Sequence, residues 1–147
     1  MSFKDNLKLK GSFYLEVKDD NGNIIERYLD DNLIVNDGRD AIVRLIGGGG
    51  TGTKEVAQIG FGTDGADPII TNTALTTQFA KNIDAVSYPS NGGVQFDFTL
   101  ASGENNGVTI REFGLICADG TLFSRKIRAA IEKTAAISLN GTWTITF

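Results

Sequence analysis

Val94-Gln95-Phe96-Asp97-Phe98-Thr99-Leu100 alternates apolar and polar residues without a break. A period of two puts Val94, Phe96, Phe98 and Leu100 on one face of a strand and Gln95, Asp97 and Thr99 on the other. The closing stretch repeats the pattern: across residues 136–147, Ile137, Leu139, Trp143, Ile145 and Phe147 oppose Ser138, Thr142, Thr144 and Thr146. Such an end must be tied into a sheet. Residues 108–117 and 121–127 read as two more strands, with Ala118-Asp119-Gly120 as their hairpin turn. Toward the start, residues 7–17 alternate in part and residues 24–29 return after Asp19-Asp20-Asn21-Gly22-Asn23. There the Asn-Gly pair is expected to supply two consecutive residues at positive φ.

Between these strands lies one helical segment. Asp37 is placed to cap it, residues 38–46 carry a buried stripe of Ala41, Ile42, Leu45 and Ile46, and Gly47, Gly48, Gly49 and Gly50 stop it. Residues 47–53 then read as a mobile surface loop, 56–61 as a short buried strand entering a turn at 62–65, and 66–78 as an irregular crossover. Residues 83–88 read as one strand before the turn Pro89-Ser90-Asn91-Gly92-Gly93. About eight strands with one short helix predict a mainly β fold, an antiparallel β-sandwich with the helix packed on it, forming a single domain over residues 1–147.

Composition narrows the chemistry. A chain of 147 residues is long enough to bury a real core without staples. With no His and a single Cys, it offers no Ser-His-Asp or Cys-His catalysis, no zinc finger and no internal disulfide. Fourteen Lys and Arg against eighteen Asp and Glu give a net charge of -4, which argues against a nucleic-acid partner. The longest apolar run, residues 41–46, falls far short of the roughly 20 residues that span a bilayer, so no membrane is expected. Met-Ser-Phe-Lys-Asp-Asn at the start has no apolar stretch behind its Lys, which implies synthesis in the cytoplasm.

Several patterns mimic sites. Gly47, Gly52 and Lys54 approach the spacing of a phosphate loop, but the segment follows a helix and Thr53 precedes the Lys. Asp19, Asn21, Asn23 and Asp30 echo a calcium loop, yet Ile24 stands where glycine is needed, and a hairpin turn explains the residues. Asp64 with Asp67, or Glu112 with Asp119, are conceivable acid/base pairs that no spacing selects. Arg125, Lys126 and Arg128, beside Lys133, form a basic cluster that reads as a solvated strand face or as one side of an inter-subunit salt bridge. Cys117 reads as a small core residue. Trp143 with Tyr14, Tyr28 and Tyr88 could stack on a sugar, although Trp143 shares the parity of Ile145 and Phe147 and so belongs to a core or interface. No catalytic residue, cofactor or metal is expected. Gly47, Gly48, Gly49, Gly50, Asp64, Arg111, Arg125 and Lys126 are the interface candidates.

The order of segments carries a resemblance. Val35-Asn36-Asp37-Gly38-Arg39 leading into the helix, then Ile59-Gly60-Phe61-Gly62-Thr63-Asp64 and Thr73-Ala74-Leu75, resemble many tailed-bacteriophage structural proteins. Ile110-Arg111-Glu112-Phe113-Gly114-Leu115, Ala118-Asp119-Gly120-Thr121-Leu122-Phe123-Ser124-Arg125, Ile131-Glu132-Lys133 and Trp143-Thr144-Ile145-Thr146-Phe147 are similar to the N-terminal module of phage tail-collar fibre proteins. The resemblance covers roughly residues 33–147. It implies a non-enzymatic virion protein associated with the tail, as a collar, fibre or baseplate subunit, that binds other virion proteins and its own copies, with a trimer favoured. Family members commonly continue into a receptor-binding part, and a chain stopping at Phe147 is expected to be a stand-alone component. The alternatives are a capsid decoration or head-fibre protein and a carbohydrate-binding β-sandwich module.

Overall fold

The computed structural model describes residues 9–147. Of the first expected strand, Leu7 and Lys8 lie outside the described residues. The rest of it is β1 (Lys10–Asp19), which turns into β2 (Ile24–Ile34). The turn is wider than an Asn-Gly hairpin. Asp19 and Asn23 flank three residues, the Gly22 N–H donates to the Asp19 carbonyl, and Gly22 alone has positive φ, at 82°. This is a type I turn closed by a left-handed glycine, with a register shift beside it at Val17/Lys18. The Asp19 carboxylate accepts the N–H groups of Asn21 and Asn23 and the Asn23 side-chain amide, so the oxygens that mimic a calcium loop serve the turn. These bonds, that from the Asn23 N–H first, lower the pKa of the Asp19 carboxyl.

The helix α1 (Asn36–Ile46) follows. Asp37 does not cap it: Val35 occupies the cap position without a side-chain bond, and Asp37 sits in the first turn. The exposed end of the helix is satisfied by tertiary partners, since the Val35 N–H donates to the Phe123 carbonyl and the Asn36 N–H to that of Ile70. Gly38 is required by close approach, because a Cβ there would collide with the Phe123 carbonyl oxygen. The stripe is narrower than expected, with Ala41 buried, Ile42 and Leu45 half-buried, and Ile46 82% exposed. Among the described residues, no helix is long and apolar enough to cross a membrane.

Then come β3 (Val56–Gly62), β4 (Phe79–Asn82), β5 (Ala85–Ser87), β6 (Gly93–Leu100), β7 (Val108–Cys117), β8 (Leu122–Lys133) and β9 (Ile137–Thr146). Among the described residues, nine strands form one antiparallel sheet in the order β4-β3-β7-β8-β2-β1-β9-β6-β5. The mainly β expectation holds, but the sheet curls into a half-barrel and is not clearly divided into two layers. The reason is β2, which pairs with β1 along most of its length and with β8 through Leu33 and Ile34, joining both arms. The expected strand at 83–88 is also different. Residues 79–82 pair with β3 at one end of the sheet and 85–87 with β6 at the other. At the changeover the Ile83 N–H donates to Ala57 and the Asp84 N–H to Asp97.

The inward faces of the arms meet in an aromatic core. Phe13 lies 5.0 Å from Trp143 and 4.9 Å from Phe113, and Phe61 lies 5.7 Å from Phe113, between ring centroids. Trp143 and Phe98 are buried, as their parity predicts, and so is Cys117, the expected small core residue. Rings this close add about 0.5–1.5 kcal/mol per pair beyond their burial.

Candidate functional site

Two features occupy opposite chemical extremes. The first is a polar clasp at the crossover. β7 carries Glu112 and β8 carries Arg125 diagonally across their ladder, Glu112 opposite Ile127 and Arg125 opposite Gly114, and the two are 1% and 2% exposed. The Arg125 Nε donates to Glu112 Oε1 at 2.9 Å, and the N–H groups of Asp64 and Thr76 donate to Glu112 Oε2 at 2.8 and 2.9 Å. The remaining Arg125 nitrogens donate to Asn72 Oδ1 and to the Asp64 carbonyl, with the Asp64 carboxylate 3.6 Å away. Arg111 is exposed and donates to the Thr63 carbonyl at 3.4 Å. The clasp thus fastens an irregular segment, otherwise poor in backbone bonds, onto the sheet.

This arrangement changes the reading of the basic cluster. Arg125, Lys126 and Lys133 are buried rather than displayed on a solvated strand face, and each is tied within the chain. The crossover covers Arg125, while the β1–β2 hairpin covers Lys126. Lys126 Nζ donates to Asp30 Oδ2 at 2.7 Å and to the Asp31 carbonyl, and it stands over the Tyr28 ring with Arg128, which contacts Glu26. These side chains fill the split where β2 parts from β8. Burial alone would pull the Lys126 ammonium down, but its bonds to Asp30 and Tyr28 outweigh burial and raise it. Lys133 Nζ donates to Ser102, Asn106 and Thr134, closing the 102–107 turn, and burial lowers its pKa.

The expected mobile loop is instead a chain of hydrogen-bonded turns. The N–H groups of Gly47, Gly48 and Gly50 donate back into α1, and those of Thr53 and Lys54 to Gly50. Gly47, Gly48 and Gly49 are exposed, whereas Gly50 is buried. Lys54 donates to Asp119 Oδ2 at 2.7 Å and to Thr121 at 3.0 Å. Lys54 and then Thr121 hold the Asp119 carboxyl well below the usual aspartate range. Glu112 and Asp119 therefore belong to separate networks and make no acid/base pair. Burial, the larger cause, pushes the Cys117 thiol up to about 11.

The second feature is an apolar groove of about 390 Å³ at the mouth of the half-barrel. Ile42 and Leu45 of α1, Val56 and Phe123 form one wall; Val86, Tyr88, Val94, Phe96, Ile145 and Phe147 form the other, with Lys54 and Glu55 on the rim. Tyr88 is 77% and Phe147 51% exposed, so large apolar surface faces water here. Sequence reasoning singled out Tyr88 only as a sugar platform and missed the groove; Phe147 in β9's inward parity was the available signal. Trp143, the platform's other main member, is fully buried. Among the described residues, no three His, Cys, Asp or Glu are grouped as a metal ion would require.

No protein-family model, curated protein or solved structure matches the chain.

Proposed function

We propose that this chain is a non-enzymatic structural subunit of a tailed-bacteriophage virion. It is tail-associated, as a collar, fibre or baseplate piece, and works by self-assembly and by docking on other virion proteins. The observation that carries the reading is the open apolar groove on a molecule whose buried charges are bonded within the chain. Such a surface meets a partner by burial rather than by chemistry. The segments that resemble collar-fibre modules build β7, β8 and β9 of the curled sheet. The subunit is made in the host cytoplasm and resides in the virion.

Light scattering across a concentration series tests this reading. A stable trimer is the expected result, and a monomer at every concentration overturns the self-assembly. Labelling of virions with antibody should mark the tail; label confined to the head makes the chain a capsid decoration or head-fibre protein instead. Saturable glycan binding that is lost in Tyr88→Ala would replace both by a sugar-binding module.

A further inference from the structure

The groove's position relative to the start of β1 points to its occupant. Lys10 is in register with Thr146, and Thr146 with Gly93. The chain therefore enters the fold one residue from Phe147, on the groove's own lining. Leu9, the first described residue, packs against the core. Eight residues precede it, Met1-Ser2-Phe3-Lys4-Asp5-Asn6-Leu7-Lys8, with Phe3 and Leu7 as their large apolar side chains. Leu7 and Phe3 share the parity of Leu9 and of the inward-facing Phe13 and Leu15. At about 3.3 Å per residue, eight residues reach about 26 Å, enough to arrive at a neighbouring molecule.

We infer that the groove receives the N-terminal segment of a second copy of this chain, with Phe3 and Leu7 as the anchors, and that this exchange assembles the oligomer. The inference rests on the self-assembly reading and names its partner. Each copy then offers one arm and one groove, a heterologous contact of the kind that builds a ring when its rotation closes. Burying two large side chains in a preformed apolar slot supplies the affinity, and repetition around the ring multiplies it.

The test uses the full chain, the double variant Phe3→Asp/Leu7→Asp, and the groove variant Val94→Asp. Light scattering should give an oligomer for the full chain and a monomer for each variant, with thermal melting of the arm variant unchanged. Mixing the two variants should restore a heteromer, because one keeps the groove and the other keeps the arm. If the arm variant assembles as the full chain does, the inference is overturned while self-assembly stands; a monomeric full chain overturns both. Cysteines placed by Phe3→Cys and Tyr88→Cys in a Cys117→Ser background decide between copies. A disulfide between chains on a non-reducing gel is expected, and one within a monomer overturns the exchange. If Val94→Asp melts early, Val86→Asp on the same wall replaces it.

Discussion

The Glu112–Arg125 clasp and the apolar groove lie on one curled sheet, yet one is saturated and the other unfinished. In the clasp each carboxylate oxygen and each guanidinium nitrogen meets a partner within the chain. In the groove, Tyr88 and Phe147 leave ring surface in water. The difference teaches which forces this fold uses where. Charged groups fasten irregular backbone that no ladder could hold, at the crossover, at the β2–β8 split and around the 102–107 turn. At the mouth, apolar side chains line an open groove that another molecule can reach.

Removing half of the clasp is the hardest blow. Arg125→Ala or Glu112→Ala should lower unfolding free energy by about 3–5 kcal/mol in urea titrations, because each strands a buried charge. The double variant Glu112→Leu/Arg125→Met should recover a large part of that loss; failure to recover would give the polar bonds to Asp64 and Thr76, rather than the ion pair, the larger share.

A smaller effect separates the groove's rim from its walls. Asp119 has a folded-state pKa below the 3.8 of a free aspartate. It therefore adds stability above about pH 4 that is lost as pH falls further. Asp119→Asn should flatten the acid side of a melting-temperature profile, whereas Tyr88→Ala should leave its slope unchanged. Cys117, buried and with its thiol pushed up to about 11, should resist iodoacetamide at pH 8 in the native protein and react once denatured. Rapid native labelling would mean that the hairpin beside Lys54 opens. Least of all, Tyr88→Ala should change monomer stability by no more than about 0.5 kcal/mol while weakening assembly measured by light scattering.

Much of the sheet was legible in the sequence because each half-buried strand writes its own period. Residues 94–100 and 137–146 are strands in the expected parity, and the 117–121 hairpin closes with the Gly120 N–H on the Cys117 carbonyl. Periodicity says nothing of which neighbour a strand takes. Residues 83–88 therefore read as one strand, although the chain changes partners at Ile83 and Asp84. The continuity of β2 through both arms was hidden for the same reason. The helix was visible in its apolar spacing, while its start was missed because the carbonyls of Phe123 and Ile70, far away in sequence, take over the capping. The clasp was illegible for a related cause: Asp64, Asn72, Thr76, Glu112 and Arg125 meet only after the sheet has curled. Among the interface candidates, exposed Gly47, Gly48, Gly49 and Arg111 stay available, while Gly50, Arg125 and Lys126 are buried and Asp64 is half-committed to the clasp.

Lys10 and Thr146 stand opposite one another in the middle of the sheet. Tension applied between those two residues loads the antiparallel β1–β9 ladder at one end, so its bonds open pair by pair like a zip. The same ladder pulled from Lys10 and Ile137, at opposite ends, resists in shear with its whole row of bonds together. The fold is thus mechanically anisotropic, compliant along one axis and stiff along another, and the point of attachment decides which of the two a pulling partner meets.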